Sequence, residues 1–231
     1  MHEDYYLNIL YPIQDRVLDI LSSVENNFYL TGETALSRAY LHHRYSDDLD
    51  FFVNDDEAYT TQVERIYRSM QSYGFTIEKS VFHESFSRLF VHENTDKNKT
   101  TLKIDFVNDI EYRVGKPEKT SLFIRTDSVR NILSNKISAL GRLETKDVAD
   151  IIFIALNYSF NWKEIFSEAS QKDLWVNPVD TAALLENFPT EKIDEIAWTT
   201  QKIKPSKQDV QAWIKQMIRD IIKGDDNKLF E

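Results

Sequence analysis

The 231-residue chain is 42% hydrophobic and carries a formal net charge of -10, which excludes a disordered polypeptide and argues against broad, nonspecific affinity for nucleic acid, because a phosphate backbone rewards positive surface. No run of about 18 apolar residues and no charged-then-apolar N-terminus is encoded, so no membrane span or signal peptide is expected and the expected location is cytoplasmic. Zero cysteines exclude disulfides, thiolate zinc sites and a cysteine nucleophile, so any metal must rest on oxygen or imidazole.

Tyr11-Pro12, followed by Ile13, Val17, Ile20 and Leu21 at helical spacing, predicts a first amphipathic helix with its proline in the first turn. The apolar run Phe28 to Leu30 predicts a strand ending at Gly32, Thr34 to His43 a helix, and Leu49 to Val53 a buried strand rich in aromatic and β-branched residues. A helix over Glu57 to Tyr73 precedes three antiparallel strands, Phe75 to Phe82, Phe86 to His92 and Thr101 to Val107, with the polar segment Asn94 to Thr100 as an exposed turn. From Asp127 the apolar period lengthens to about 3.6, through Val129, Ile132, Leu133, Ile137 and Leu140, and the remainder to Ile222 reads as mostly helical. The expected architecture is α+β: residues 1–120 form an α/β core with an N-terminal helix, and residues 121–231 a helical domain, with the boundary inside Arg113 to Thr126.

Charge is unevenly spread. Residues 1–60 carry twelve acidic and three basic side chains, residues 113–146 eight basic and three acidic, and Lys202 to Lys223 six basic and two acidic. One end is suited to cations; each basic stretch could meet phosphates or be solvated helix surface.

The chemistry concentrates in Leu30-Thr31-Gly32-Glu33-Thr34-Ala35-Leu36 and in Arg44-Tyr45-Ser46-Asp47-Asp48-Leu49-Asp50-Phe51-Phe52. On one strand, Asp48 and Asp50 project from the same face with Cα atoms roughly 6 to 7 Å apart, leaving Leu49 and Phe51 for the core. Two carboxylates so close repel unless one is protonated or a cation lies between them, and such oxygen ligands suit Mg²⁺ or Mn²⁺. In Leu102 to Val107, alternation leaves Lys103 and Asp105 on the face opposite Leu102, Ile104 and Phe106. Three carboxylates can support two metal ions about 3.5 to 4 Å apart, an arrangement for phosphoryl transfer. Gly32, between a strand and a helix, either serves only as a turn or offers backbone N–H groups to phosphate oxygens.

Together with Asn135 to Arg142 and Lys146 to Asp150, these segments resemble the AbiEii/AbiGii toxin-type nucleotidyltransferases of the polymerase-β-like superfamily, over residues 28–150. The resemblance implies a nucleotidyltransferase-type mixed β-sheet flanked by helices. It also implies metal-dependent transfer of a nucleoside monophosphate from an NTP to an acceptor hydroxyl, which in such families can be the 3′ end of tRNA. The protein would then be the toxin of a toxin–antitoxin or abortive-infection pair with a cognate antitoxin. Carried over by position, Asp48, Asp50 and Asp105 are catalytic metal ligands, with Asp105 also helping to deprotonate the acceptor. Gly32 and Thr34 form the phosphate-side turn, Lys136 lies near the triphosphate, and Asp147 and Asp150 match acidic positions of the helical motif. Glu33 departs from the pattern, which has Gly or Ser there: either it turns away, or nucleotide binding is weakened, altered or lost, leaving a nucleotide- or partner-binding protein of the same fold. Protein adenylylation is a further alternative.

Structural roles stand beside these. Asp147 and Asp150 follow Thr145, a candidate helix N-cap, and favour a helix dipole without catalysis. Lys136 and Arg142 are phosphate contacts or solvated cations, and Arg44 and Ser46 touch substrate or anchor a turn. His42 and His43 point about 100° apart on a helix and read as surface or packing residues, and Trp162, Trp175, Trp198 and Trp213 as helical core.

Overall fold

A computed structural model describes residues 2–96, 100–200 and 204–230. The chain divides into two compact units, one formed by Met1–Tyr40 and Tyr45–Ser128, the other by Leu41–Arg44 and Val129–Glu231. Parts of the Asn94 to Thr100 segment, and Lys202, lie outside the described residues.

The first unit begins with α1 (His2–Tyr5), a π-helical turn (Tyr6–Leu10) and α2 (Tyr11–Ser23), which buries Ile13, Val17, Ile20 and Leu21. The expected helix is thus extended at its N-terminal end, where Tyr6 and Leu10 continue the buried stripe. Then come β1 (Tyr29–Thr31), α3 (Gly32–Thr34), a second π-helical stretch (Ala35–Leu41), β2 (Leu49–Asn54), α4 (Tyr59–Ser72), β3 (Phe75–Phe82), β4 (Phe86–Glu93) and β5 (Leu102–Asp109). The strands form one mixed sheet in the order β1-β2-β5-β4-β3, parallel only between β2 and β5. Arg125–Asp127 runs beside β1, with Leu30 N–H donating to Arg125 O (2.9 Å) and Asp127 N–H to Leu30 O (2.8 Å).

Alternation decides which side chains meet the core. Leu49, Phe51, Leu102, Ile104 and Phe106 are all fully buried, and Phe106 packs against Phe28 (5.0 Å between ring centroids) and Phe51 (5.4 Å). Helix α4 covers this layer through Tyr59, whose hydroxyl lies 3.0 Å from both Ser87 Oγ and Phe106 O. Each such pair of apolar faces removed from water contributes roughly 25 cal/mol per Å², and the same alternation turns the charged residues of β2 and β5 the other way.

The second unit is helical: α5 (Val129–Ala139), a 3₁₀ turn (Leu140–Arg142), α6 (Thr145–Asn157), α7 (Trp162–Ser170), α8 (Pro178–Glu186), a 3₁₀ segment (Thr190–Glu195) and α9 (Lys207–Lys223). Helix α6 is its centre, with every residue from Asp147 to Ala155 buried. Its N-cap is Glu144, without a side-chain cap bond, rather than Thr145, which is already helical. Helix α9 is bounded by a Ser206/Asp209 capping box and by Gly224 in the left-handed conformation (φ 65°). Of the tryptophans expected in the core, Trp162 is fully buried but Trp175 is 88% exposed, because it sits in the turn between α7 and α8 rather than on an apolar face. Among the described residues, no helix is long and apolar enough to cross a membrane.

Candidate active site

Asp50 and Asp105 are register partners on the parallel strands β2 and β5, and Thr31, the last residue of β1, pairs with Asp50 on its other side. The sheet therefore fixes two of the three expected carboxylates side by side. Asp48 lies one residue before β2, outside the ladder rather than on the strand. Gly32 follows β1 at φ 67°, and a β-carbon there would stand 2.5 Å from Asp50 Oδ2. Only glycine allows the backbone at this bend to approach the carboxylate so closely.

Two cations that the sequence reading gave no role hold the outer carboxylates. Lys103 Nζ is 2.5 Å from Asp48 Oδ2 and 3.9 Å from Asp105 Oδ2. Arg88, directly across the β4–β5 ladder from Asp105, donates from Nε and Nη2 to its two oxygens at 2.7 Å each. The signal for Arg88 was available in the alternation of β4, where Ser87, Leu89 and Val91 are buried and Arg88 must face the other way. Asp50 has neither ion pair nor side-chain hydrogen bond among the described residues. Burial and the charges of Glu33, Asp105 and Asp48 push its carboxyl up to about 7. Burial also raises the Asp48 carboxyl, against the pull of Lys103. Burial opposes the Lys103 ammonium, yet its bond to Asp48 and the charges of Asp48 and Asp105 hold it above the ordinary lysine value.

This donor set fits a hard divalent cation in kind: carboxylate oxygens in mutual repulsion, one of them unpaired. It is not a preformed cage, since no group of three His, Asp or Glu side chains among the described residues is arranged to hold a metal. Asp48 and Asp105 would have to turn from Lys103 and Arg88 to ligate one.

Thr34 and Ser46 are both fully buried. Their hydroxyls are 2.7 Å apart, and Thr34 Oγ1 also donates to the Asp48 carbonyl. The remaining candidates fall in the helical unit. Arg44, only 1% exposed, grips Asp150 with Nε and Nη2 at 2.7 Å each. Lys136 Nζ lies 2.7 Å from Asp147 Oδ1 and 2.6 Å from Asp150 Oδ2, and the more exposed Arg142 reaches Asp147 Oδ2 at 3.3 Å. His43 Nε2 is 2.8 Å from Asp150 Oδ1 and its ring lies against Phe153, whereas His42 is exposed with φ 51°. Burial works to raise the Asp150 carboxyl, but Arg44, Lys136 and the His43 hydrogen bond hold it well below the usual carboxylate range. Burial lowers His43 despite that same bond.

The basic stretch of residues 113–146 is largely consumed by such contacts. Arg113 pairs with Asp127 at 2.8 Å, Arg125 donates to Phe28 O and Asn26 Oδ1, and Arg130 pairs with Glu164 and Glu168. In the second stretch, Lys204 and Lys207 both pair with Asp194.

A mixed sheet that sets two carboxylates on neighbouring strands beside a glycine bend defines the nucleotidyltransferase fold class. Over 93% of its length the chain superimposes on 92% of JHP933 from Helicobacter pylori, with a TM-score of 0.59 at 19% identity. It matches the Mycobacterium tuberculosis nucleotidyltransferase toxin MenT4 equally well, TM-score 0.59 at 13% identity, over 93% of this chain and 83% of that one. The model of the family described as nucleotidyl transferase AbiEii toxin, type IV toxin–antitoxin system, matches residues 16–226, and the chain belongs to that family. No curated protein matches the sequence.

Proposed function

We propose that the protein is a metal-dependent toxin that transfers a nucleoside monophosphate from an NTP to an acceptor hydroxyl, with the 3′ end of tRNA as the acceptor, in the cytoplasm and under control of a cognate antitoxin. Membership of a nucleotidyltransferase toxin family supports the reaction class. The observation that carries the site is the pairing of Asp50 with Asp105 across β2 and β5, with the Gly32 backbone against Asp50.

In this reading Asp48, Asp50 and Asp105 hold Mg²⁺ or Mn²⁺. When bound, the cation would neutralise charge on the triphosphate and make the acceptor hydroxyl easier to deprotonate. Gly32 and the backbone of the turn to Thr34 receive phosphate oxygens, and Asp105 orients the acceptor hydroxyl and helps remove its proton. Lys103 and Arg88, released as their carboxylates turn, can face the phosphates, as guanidinium and ammonium groups do in phosphoryl transfer. Thr34 and Ser46 serve as buried supports, Thr34 through its bond to the Asp48 carbonyl. For Arg44, Lys136, Asp147 and Asp150, the internal ion pairs favour support of the helical unit, and Arg142 is the most exposed cation of that group.

Incubation with each labelled NTP, Mg²⁺ and total tRNA should label RNA, and Asp48→Ala with Asp50→Ala should abolish the label. A labelled protein band would indicate adenylylation instead, and no label with any NTP would sink the enzymatic reading. The binding-only alternative rests on Glu33, the largest charge influence on Asp50. Calorimetry on Glu33→Gly should leave NTP–Mg²⁺ affinity unchanged if Glu33 turns aside, and strengthen it markedly if Glu33 blocks the pocket.

A further inference from the structure

Asp50 and Asp105 are held by the ladder, but Asp48 is not, because β2 starts at Leu49 and its first register pair is Leu49 with Ile104. Something else must fix the chain just before the strand. Gln14 of α2 is fully buried, and its Nε2 lies 3.2 Å from both Ser46 O and Asp47 O, donating to two successive carbonyls of that approach. Its Oε1 accepts from Arg38 Nη1 at 2.9 Å, and that guanidinium is stacked 4.1 Å over the Tyr11 ring and paired with Asp15, so the amide cannot flip without losing bonds at both ends. Tyr6 donates its hydroxyl to Asp47 Oδ1 at 2.7 Å and stacks face to face on Tyr45 at 4.4 Å. Tyr11 accepts from Ser46 N–H at 3.3 Å.

Residues 45–47 are therefore engaged one after another by side chains of the N-terminal helical segment, with Thr34 taking the Asp48 carbonyl itself. We propose that Gln14, with Tyr6, is a positioning residue for the metal site: it sets the backbone that presents the Asp48 carboxylate to Asp50 and Asp105. Neither side chain touches the carboxylates of Asp48, Asp50 or Asp105; their effect passes through Ser46 and Asp47. The inference rests on the reading of the three aspartates as metal ligands. Loss of outer groups that orient ligands typically weakens metal affinity about ten- to a hundredfold.

The test is Mn²⁺ binding followed by electron paramagnetic resonance, with thermal unfolding measured in parallel. Gln14→Met keeps size but removes the amide N–H donors and the Oε1 acceptor, and Tyr6→Phe removes one hydroxyl. Gln62→Met is the control, since Gln62 is also buried and bonded, to Asn27 N–H and Asp56, away from Ser46–Asp48. The expected result is Mn²⁺ affinity lower by about tenfold or more in Gln14→Met and severalfold in Tyr6→Phe, with Gln62→Met within about twofold of the parent despite a comparable loss of melting temperature. Parental affinity in Gln14→Met and Tyr6→Phe would overturn the inference, and so would equal weakening in Gln62→Met, which would mark general loosening. If Gln14→Met does not fold, Tyr6→Phe decides. A parent that binds no Mn²⁺, or binds it equally well as Asp50→Asn, would instead defeat the metal-ligand reading.

Discussion

Asp50 has carboxylates for neighbours and no cation of its own, and its carboxyl is pushed up to about 7 from the ordinary 3.8 by burial, Glu33, Asp105 and Asp48. A group whose folded pKa exceeds its unfolded one contributes stability in acid that is lost as pH rises through the folded value. At pH 8 without metal, ionised Asp50 therefore works against folding. Asp50→Asn should raise metal-free stability at that pH by about 1–2 kcal/mol, the scale of the penalty for a buried polar group left without a partner. Urea unfolding of parent and variant measures this, and a less stable variant would mean that the carboxylate has a partner the present geometry does not show.

At the scale of elements, α5 and α6 are joined by a buried charge cluster in which Arg44 and Lys136 face Asp147 and Asp150. His43 completes it as a neutral ring donating Nε2–H to Asp150, the tautomer that its lowered pKa and this bond require. In the unfolded chain the imidazole takes up a proton near 6.5, whereas the buried ring does not, so the unfolded state binds more protons below that pH and stability declines. Asp150 adds to the decline only further into acid, because its contribution is present above 3.8 and disappears as pH falls through its depressed value. Asp50 titrates with the opposite sign in the same range, so the comparison is made with Asp50→Asn in place: melting temperature followed from pH 7.5 to 5 should then fall, and fall less steeply once His43→Gln, which can still donate to Asp150 but does not titrate, is added. Parallel curves would exclude His43 as the origin.

For the molecule as a whole, net charge and the fate of the basic stretches bear on the acceptor. With a formal charge of -10, and with Arg113, Arg130, Lys136, Lys204 and Lys207 already paired with carboxylates, part of the positive charge of both basic stretches is balanced before any nucleic-acid backbone arrives. Each phosphate neutralised contributes about 0.7 to the salt slope for a single strand. Binding of an RNA acceptor should therefore show a log–log salt slope no steeper than about -3, measured by fluorescence anisotropy between low and physiological salt. A slope several times steeper would reveal a phosphate track that the ion-pair pattern does not predict.

Alternation and turn chemistry were sufficient, read from the sequence, to find β1 to β5, the helices that follow Asp127, and the face on which Asp50 and Asp105 lie, because burial with period two or 3.6 is a local property of the chain. The π-helical turns, Asp48 lying outside the ladder, the Arg88–Asp105 pair and the Arg44–Asp150 pair were decided only by tertiary structure. Each depends on which distant backbone or charge arrives opposite: Asp150 is 106 positions from Arg44, and no periodicity in the chain records that a buried carboxylate will draw its cations from so far away.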